Sequence, residues 1–206
     1  MSAPLRLLLA DDQALVRGAL AALLNLEADL EVVAEVARGD EVVAAALACR
    51  PDVALLDVEM PGVDGIAAAE ALVAALPSCR VLIVTTFGRP GYLRRALAAG
   101  ASGFVVKDTP AAQLADAVRR VAAGLRVVDP ELAVESLMSG ENPLTSREHE
   151  VLRAARSGGT VADIAHALFL SEGTVRNYLS SAIGKTGART RAEAVRIAEG
   201  SGWLLG

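Results

Sequence analysis

The sequence predicts an α/β domain followed by a small all-α domain. Up to about residue 123, short apolar runs alternate five times with segments of helical periodicity, a pattern typical of a parallel sheet with helices on both faces. A turn-rich break, Ser-Gly-Glu-Asn-Pro at 139–143, is followed by four helix-start signals. We therefore expect one domain over residues 1–123, a linker with a short helix (Pro130–Met138) over 124–142, and a second domain over 143–206.

Composition and charge exclude several classes of protein. The chain has 206 residues, of which 53% are hydrophobic and 22% charged, and this suits a globular protein with a buried core. No apolar run approaches the roughly 18 residues of a membrane span, and the start lacks a signal peptide's basic residues, so we expect a cytoplasmic protein without membrane insertion. Cys49 and Cys79 show no metal or redox spacing. Residues 1–142 carry a net charge of −7 and residues 143–206 of +2, which suggests different partners.

The elements of the first domain are predicted from apolar runs and helical periodicity. The expected strands are Leu5–Ala10, Glu31–Val36, Asp52–Asp57, Arg80–Thr86 and Gly103–Lys107. The expected helices are Ala14–Leu26, Asp40–Cys49, Asp64–Leu76, Pro90–Ala99 and Pro110–Ala123. Two of these helices carry start signals, Asp64 as an N-cap and Thr109 as an N-cap before Pro110 in the first turn.

The strand ends carry the chemically active side chains. They are Asp11 and Asp12 after the first strand, Asp57 after the third, Thr85 at the end of the fourth and Lys107 at the end of the fifth. Because open α/β sheets place ligands at the carboxyl ends of their strands, we expect these five residues along one rim. Three carboxylates repel each other and need a cation, and oxygen ligands favour Mg²⁺ over zinc. The hydroxyl and the ammonium would suit the oxygens of a phosphoryl group on Asp57.

These rim residues belong to a longer pattern, namely Asp11-Asp12, Asp57 followed by Met60-Pro61-Gly62, Thr85, Phe104 and Lys107. The pattern resembles the receiver domain of two-component response regulators, over about residues 4–123. The resemblance implies a flavodoxin-like (βα)5 fold with strand order 2-1-3-4-5, and it implies that Asp57 is the phosphoacceptor. It also implies that Mg²⁺ is held by Asp12, Asp57 and the backbone carbonyl of Glu59, with help from Asp11 through water. Lys107 would pair with the phosphoryl group, and Thr85 and Phe104 would move on phosphorylation.

The second domain is predicted to contain four helices opened by capping residues. Three starts are the patterns Thr145-x-x-Glu148, Thr160-x-x-Asp163 and Thr190-x-x-Glu193, and the fourth is Ser171 before a helix over Glu172–Ile183. Two helices that meet at the tight corner Phe169-Leu170-Ser171 are typical of a helix-turn-helix. Its expected apolar side is formed by Ile164, Leu168, Val175 and Leu179.

The exposed face of the third of these helices is expected to be polar. Its residues are Glu172, Thr174, Arg176, Asn177, Ser180 and Ser181, with Lys185 at the end. Arg and Asn suit base edges, while Ser, Thr and Lys suit phosphates, although an ordinary solvated helix face would have a similar composition.

The second domain also resembles a family. Leu144-Thr145 with Arg147-Glu148, then Ile164-Ala165, then the run Ser171–Asn177 resemble the DNA-binding domain of the LuxR/NarL/FixJ class, over residues 143–203. Two positions depart from the family pattern: Thr186 stands where leucine is common, and Tyr178 stands where histidine is common.

Together the two resemblances imply a response regulator of the NarL/FixJ type and not an enzyme. A sensor histidine kinase would phosphorylate Asp57 with Mg²⁺, and the protein would dimerise and bind two half-sites of double-stranded DNA. The dimer faces implied are the first and last helices of the receiver and the final helix, about Arg191–Glu199.

Two other classes stay open. A metal-dependent phosphatase with an aspartate nucleophile would share the acidic rim, but it usually needs Asp-x-Asp where this chain has Asp11-Asp12-Gln13. A phosphorylation-independent regulator or interaction module, with a vestigial receiver, would keep the fold and the DNA-binding domain. A nucleotide-binding oxidoreductase is excluded, because no Gly-x-Gly-x-x-Gly follows a predicted strand.

Overall fold

The computed structural model of the chain describes residues 3–86, 88, 90–138 and 142–204. The chain divides into two compact units, one with most of residues 3–134 and the other with most of residues 135–204. Each unit has its own hydrophobic cluster. Of the turn-rich break predicted at 139–143, residues 139–141 lie outside the described residues. Across the described ranges, no helix is both long and apolar enough to cross a membrane.

Strands and helices alternate along the chain up to residue 128, as the sequence predicts. The strands are β1 (Leu5–Ala10), β2 (Leu30–Val36), β3 (Val53–Leu56), β4 (Arg80–Thr85), β5 (Gly103–Val106) and β6 (Val127–Val128). The helices are α1 (Ala14–Leu24), α2 (Val42–Cys49), α3 (Gly65–Ala75), α4 (Pro90–Ala98) and α5 (Ala111–Ala122). Helix α6 (Pro130–Met138) follows β6, where the linker helix is predicted.

The six strands form one parallel sheet in the order β2-β1-β3-β4-β5-β6. The expected order 2-1-3-4-5 is confirmed, and β6 extends it. Strand β6 is not predicted from the sequence, because two residues show no alternation; it pairs with Gly103 and Phe104 of β5. Since all six strands run in the same direction, their carboxyl ends lie at one edge of the sheet.

The central strands are buried on both faces. Helices α1 and α5 cover the face that carries Leu7 and Leu9. Successive side chains of a strand point to opposite faces, and Leu8 on the other face is also fully buried, where α2 contacts β1 and α3 contacts β4. Burial on both faces explains why these strands appear in the sequence as uninterrupted apolar runs.

Two helix starts differ from their predictions. The N-cap of α5 is Pro110, with φ −54° and ψ 141° and no side-chain cap, so the prediction of Thr109 as the cap is wrong by one residue. The helix predicted from Asp40 begins as a 3-10 turn over Gly39–Glu41, before α2. By contrast, the prediction for α3 is confirmed, because the Asp64 carboxylate accepts hydrogen bonds from the first turn at 2.8 and 2.9 Å.

Helix α1 ends two residues earlier than predicted. Asn25 stands at its C-cap, and the Oδ1 atom of this side chain accepts a hydrogen bond from the backbone N–H of Val32 at 2.8 Å. This contact turns the chain into β2, which the periodicity of α1 alone does not predict.

The second unit contains the four predicted helices. They are α7 (Ser146–Ala154), α8 (Val161–Leu168), α9 (Glu172–Thr186) and α10 (Arg191–Gly200), with a 3-10 turn, Ala155–Ser157, after α7. Thr145 and Thr160 form the predicted capping boxes, and Ser171 caps α9, which runs three residues longer than predicted. Thr190 caps α10, but Glu193 accepts from the backbone N–H of Arg189 instead of closing a box.

Helices α8 and α9 meet at the predicted corner. Phe169 turns the chain with a left-handed backbone (φ +54°), and its side chain is exposed. Ile164, Val175 and Leu179 are buried, with Leu168 partly buried beside them. The predicted apolar side of the helix-turn-helix is therefore confirmed.

Candidate metal centre and candidate nucleic-acid interface

The rim of the sheet brings together three carboxylates predicted from the strand ends. Oxygen atoms of Asp11, Asp12 and Asp57 lie within 4.8 Å of one another. Asp57 follows β3 directly, and its backbone N–H donates to the carbonyl of Ala10 at 2.8 Å, which fixes it beside the end of β1. Asp11 and Asp57 are buried, whereas Asp12 is exposed. An oxygen-only donor set of this kind fits Mg²⁺.

Lys107 joins two of these carboxylates. Its Nζ atom lies 2.7 Å from Oδ2 of Asp11 and 2.8 Å from Oδ2 of Asp57. The backbone N–H of Lys107 donates to the carbonyl of Thr85 at 2.8 Å, so the ends of β4 and β5 are tied together. The ammonium is therefore the counter-charge for two buried carboxylates.

The pKa values of this pair follow from burial and charge. Burial raises the pKa of the Asp57 carboxyl above its ordinary value, and the hydrogen bond and charge of Lys107 offset this only in part. Burial alone would lower the pKa of the Lys107 ammonium, but its hydrogen bonds to Asp11 and Asp57 outweigh that effect and raise it. Lys107 is therefore charged at neutral pH.

The other residues predicted for this site are Glu59, Thr85 and Phe104. Oδ1 of Asp57 accepts from the backbone N–H of Val58 at 2.7 Å, so both carboxylate oxygens are oriented. Thr85 at the end of β4 and Phe104 in β5 are both buried. Glu59 is exposed, two residues after Asp57. Metal binding by its carbonyl and the switching roles of Thr85 and Phe104 stay predictions.

Two glycines hold the loop between β3 and α3. A Cβ atom on Gly65 would lie 1.7 Å from the carbonyl oxygen of Asp57, and one on Gly39 would lie 1.9 Å from the carbonyl oxygen of Val63. The N–H of Gly65 also donates to the carbonyl of Val58 at 3.0 Å. Neither position has room for a side chain, so the backbone from Asp57 to the start of α3 depends on glycine at both positions.

Arg17 makes a contact at the rim that the pattern of the sequence does not predict. Its Nη1 atom donates to the backbone carbonyl of Asp11 at 2.5 Å, and its Nε atom lies 3.5 Å from the carboxylate of Glu35. Arg17 therefore ties α1 and the end of β2 to the end of β1. The signal in the sequence is that Arg17 is the one charged residue of an otherwise apolar helix.

The second candidate site is the polar face of α9. Six of the seven predicted DNA contacts, Glu172, Arg176, Asn177, Ser180, Ser181 and Lys185, are exposed, and the seventh, Thr174, is half-buried. Arg176 pairs with Glu172 one turn away at 2.5 Å. An exposed pair of this spacing contributes only about 0.5 kcal/mol, so a base edge can compete for the guanidinium.

Glu148 links α7 to the far half of α9. Its side chain is 5% exposed, and it accepts hydrogen bonds from the Thr145 N–H, the Ser181 hydroxyl and the Lys185 ammonium, each at 2.7 Å. The capping pattern in the sequence predicts the first of these contacts. The other two depend on how the helices pack, so the pattern gives no sign of them.

The two residues that differ from the family pattern, Thr186 and Tyr178, both make contacts within the second unit. The Thr186 hydroxyl lies 2.9 Å from the carbonyl oxygen of Ala182, within its own helix. Tyr178 is half-buried and packs against the hydrophobic cluster of the unit.

The Glu148 cluster predicts a pH-dependent loss of stability. Burial alone would raise the pKa of Glu148, but hydrogen bonds from Lys185, Ser181 and Thr145 lower it from 4.5 to about 2. Because the pKa is depressed in the folded state, the carboxylate stabilises the fold above pH 4.5, and this contribution is lost as the pH falls toward 2. We expect Glu148→Gln to lower the unfolding free energy of the second unit by about 2 kcal/mol at pH 6.

The measurement is urea unfolding between pH 6 and pH 3, followed by the fluorescence of Trp203. This residue is the sole tryptophan of the chain, and it packs against the hydrophobic cluster of the second unit. The difference between wild type and Glu148→Gln is expected to shrink toward pH 3. A difference that stays constant with pH would contradict the prediction.

Comparison with known proteins accounts for both units. The family described as "Response regulator receiver domain" matches residues 7–119, and "Bacterial regulatory proteins, luxR family" matches residues 142–198. The uncharacterized transcriptional regulatory protein YvfU of Bacillus subtilis (strain 168) is 47% identical over 200 residues, which cover 97% of this chain and 100% of YvfU. The transcriptional regulatory protein DesR of the same strain is 44% identical over 196 residues, which cover 95% and 97%. The crystal structure of the response regulator ChrA of a heme-sensing two-component system covers 96% of this chain and 98% of its own, with 33% identity and a TM-score of 0.59.

Proposed function

The chain belongs to the two-component response regulators that join a receiver domain to a LuxR-type DNA-binding domain, and we propose that phosphorylation of Asp57 controls its binding to DNA. It is a DNA-binding transcription regulator of that family. The arrangement of Asp57 carries the proposal. Its carboxylate is buried at the rim, oriented by Val58 and Lys107, and gathered with Asp11 and Asp12.

The rim residues fit a bound Mg²⁺ ion. The side chains of Asp11, Asp12 and Asp57 and the backbone carbonyl of Glu59 would hold it, and it would neutralise charge on the phosphoryl oxygens. An oxygen of Asp57 forms the acyl phosphate bond as the phosphoryl group leaves its donor, a histidine of a sensor kinase. The Lys107 ammonium then donates to the phosphoryl oxygens.

The charge added at Asp57 is the signal. A phosphoryl group brings about −1.5 to −2 charges at neutral pH, and it draws the Lys107 ammonium and the Thr85 hydroxyl toward itself. Because the N–H of Lys107 donates to the carbonyl of Thr85, these movements at the ends of β4 and β5 are coupled. Phe104, buried in β5, turns into the space that Thr85 leaves.

The output is a homodimer on double-stranded DNA, in the cytoplasm. The exposed side of α1 and the turn after it support a dimer face there, because Leu15, Leu23 and Leu26 are 87%, 44% and 80% exposed. In the second domain α10 is the proposed dimer face. A dimer of helix-turn-helix units binds two half-sites about one turn of DNA apart.

The test uses the full chain with Mg²⁺ and a small phosphodonor. We expect a phosphate adduct by intact mass, a shift from monomer to dimer by light scattering, and tighter binding to a duplex selected by the protein from a random pool. A sample with the metal chelated is the control and is expected to show none of the three. An adduct that changes neither oligomeric state nor DNA binding would overturn the proposed control.

The proposed base contacts make a separate prediction. Arg176→Ala and Asn177→Ala are each expected to weaken binding to the selected duplex by about 1 to 3 kcal/mol and to relax its sequence preference at one position. Arg153→Ala removes an exposed charge from α7 and serves as the matched control. Gel shifts on the selected duplex and on single-base variants measure both effects, and unchanged affinity and preference would refute the assignment of base contacts.

A further inference from the structure

Among the described residues, the buried carboxylates are Asp11 and Asp57 at the rim and Glu148 in the DNA-binding domain. The rim pair has a proposed role, whereas Glu148 touches no proposed base contact. Its partners on α9 are Ser181 and Lys185, four positions apart and therefore on one face of the helix. Both partners are assigned from the sequence as DNA contacts. The role of Glu148 therefore depends on how many hydrogens of Ser181 and Lys185 remain free to bind DNA.

Ser181 and Lys185 differ in the number of hydrogens that they can donate. A serine hydroxyl has one hydrogen to donate, and Ser181 gives it to Glu148 at 2.7 Å. A phosphate only accepts hydrogen bonds, so Ser181 has nothing left to offer it. Lys185 has three hydrogens, of which one is used by Glu148, and its side chain is 36% exposed. The ammonium can therefore hold Glu148 and a phosphate at the same time.

Lys185 is also restrained before any DNA arrives. A free lysine side chain samples many rotamers and loses that freedom when it binds. Here Glu148 fixes the ammonium, and Glu148 is itself fixed by the N–H of Thr145 at the start of α7. A donor that is already in place binds a phosphate at a smaller entropic cost.

We propose that Glu148 is a positioning residue for DNA binding, which with Ser181 holds the Lys185 ammonium in place for one phosphate of the DNA backbone. This inference rests on the proposed function, since Lys185 must be a phosphate contact. It reassigns Ser181 from contacting DNA to supporting Lys185.

The test is a double-mutant cycle on DNA affinity. Fluorescence anisotropy on the selected duplex compares the wild type with Glu148→Gln, Lys185→Met and the double variant, over a range of salt concentrations. Glutamine also suits the third position of a capping box, so Glu148→Gln keeps the start of α7. Asp163→Asn is the matched control, because Asp163 closes the equivalent capping box of α8.

We expect Lys185→Met to weaken binding about tenfold, since one charged hydrogen bond to the DNA is removed. Its slope of log K against log salt should become shallower by about 0.9, the value for one phosphate that the protein no longer neutralises. Glu148→Gln should weaken binding about threefold with the slope unchanged, because the lysine keeps its charge but loses its fixed position. In the Lys185→Met background, Glu148→Gln should have no further effect.

The experiment distinguishes a failure of the proposed function from a failure of the positioning role of Glu148. If Lys185→Met leaves affinity and slope unchanged, the phosphate contact of the proposed function is wrong, and the inference falls with it. If Lys185→Met behaves as expected but Glu148→Gln binds equally well, binds more tightly, or adds its full effect to that of Lys185→Met, the positioning role alone is overturned.

A second variant covers a failure to fold. Circular dichroism and the fluorescence of Trp203 report whether Glu148→Gln is folded. If it is not, Ser181→Ala replaces it in the cycle, because this change leaves the cap of α7 untouched. We expect Ser181→Ala to weaken binding about twofold, with no effect in the Lys185→Met background. An additive effect there would refute the positioning role.

Discussion

Replacing Asp57 by asparagine is expected to abolish the phosphate adduct, and with it the dimerisation and the gain in DNA affinity. The carboxamide has nearly the shape of the carboxylate, so the loop between β3 and α3 keeps its contacts, but its oxygen is too weak a nucleophile to form an acyl phosphate. Intact mass after incubation with Mg²⁺ and the phosphodonor measures the loss, and we expect no detectable adduct.

Asp40→Asn is the matched control for this experiment. Asp40 is an exposed carboxylate that pairs with Arg38 at 2.9 Å and is not one of the three clustered carboxylates, and its variant should be phosphorylated like the wild type. An adduct on Asp57→Asn would contradict the assignment of the phosphoacceptor. Steady release of phosphate from the donor would favour the phosphatase, and equal DNA binding with and without the adduct would favour a regulator that works without phosphorylation.

Removing Lys107 is expected to cause the largest loss of stability. Lys107→Met leaves the carboxylates of Asp11 and Asp57 buried together without their counter-charge. Breaking such a buried ionic group typically costs about 3 kcal/mol or more. Urea unfolding of the full chain at pH 7 without Mg²⁺, followed by far-UV circular dichroism, measures this cost in the first unit. Added Mg²⁺ should restore more stability to the variant than it adds to the wild type, since the metal no longer competes with the ammonium.

Arg119→Met provides the comparison for Lys107→Met. Arg119 also joins two carboxylates, Glu27 at 2.6 Å and Asp29 at 2.7 Å, but on the surface of the first unit. Exposed ion pairs contribute little, so we expect a loss of less than about 1 kcal/mol with no response to Mg²⁺. Equal losses of unfolding free energy in the two variants would show that burial of the rim does not increase the contribution of Lys107 to stability. A loss in Lys107→Met that Mg²⁺ fails to restore would show that metal and ammonium do not share the site.

Much of the fold is predictable from the sequence because its central strands are buried on both faces. Val53–Leu56 is an uninterrupted apolar run for this reason, and its end places Asp57 at the rim without any tertiary information. The features that are not predicted correctly depend on single contacts. The side chain of Asn25 ends α1 by binding Val32, and β6 consists of two residues that depend on β5 for their pairing.

The candidate sites also contain residues that the sequence predicts and residues that it does not. Residues that end a strand or open a helix are predictable, because their position follows from the local pattern. Arg17 reaches back from α1 to the carbonyl of Asp11, and Glu148 reaches across to Ser181 and Lys185 on α9. These contacts depend on side-chain length and helix packing, and periodicity or capping patterns carry no information about either.

The tight contacts of Gly39 and Gly65 also bear on how the proposed phosphorylation of Asp57 could be lost by mutation. A single nucleotide change converts a glycine codon to an alanine codon, and the added methyl group of Gly65→Ala would push against the carbonyl of Asp57 itself. Such an allele would keep every acidic residue of the rim, so a comparison of genomes that checks only those residues would count it as active.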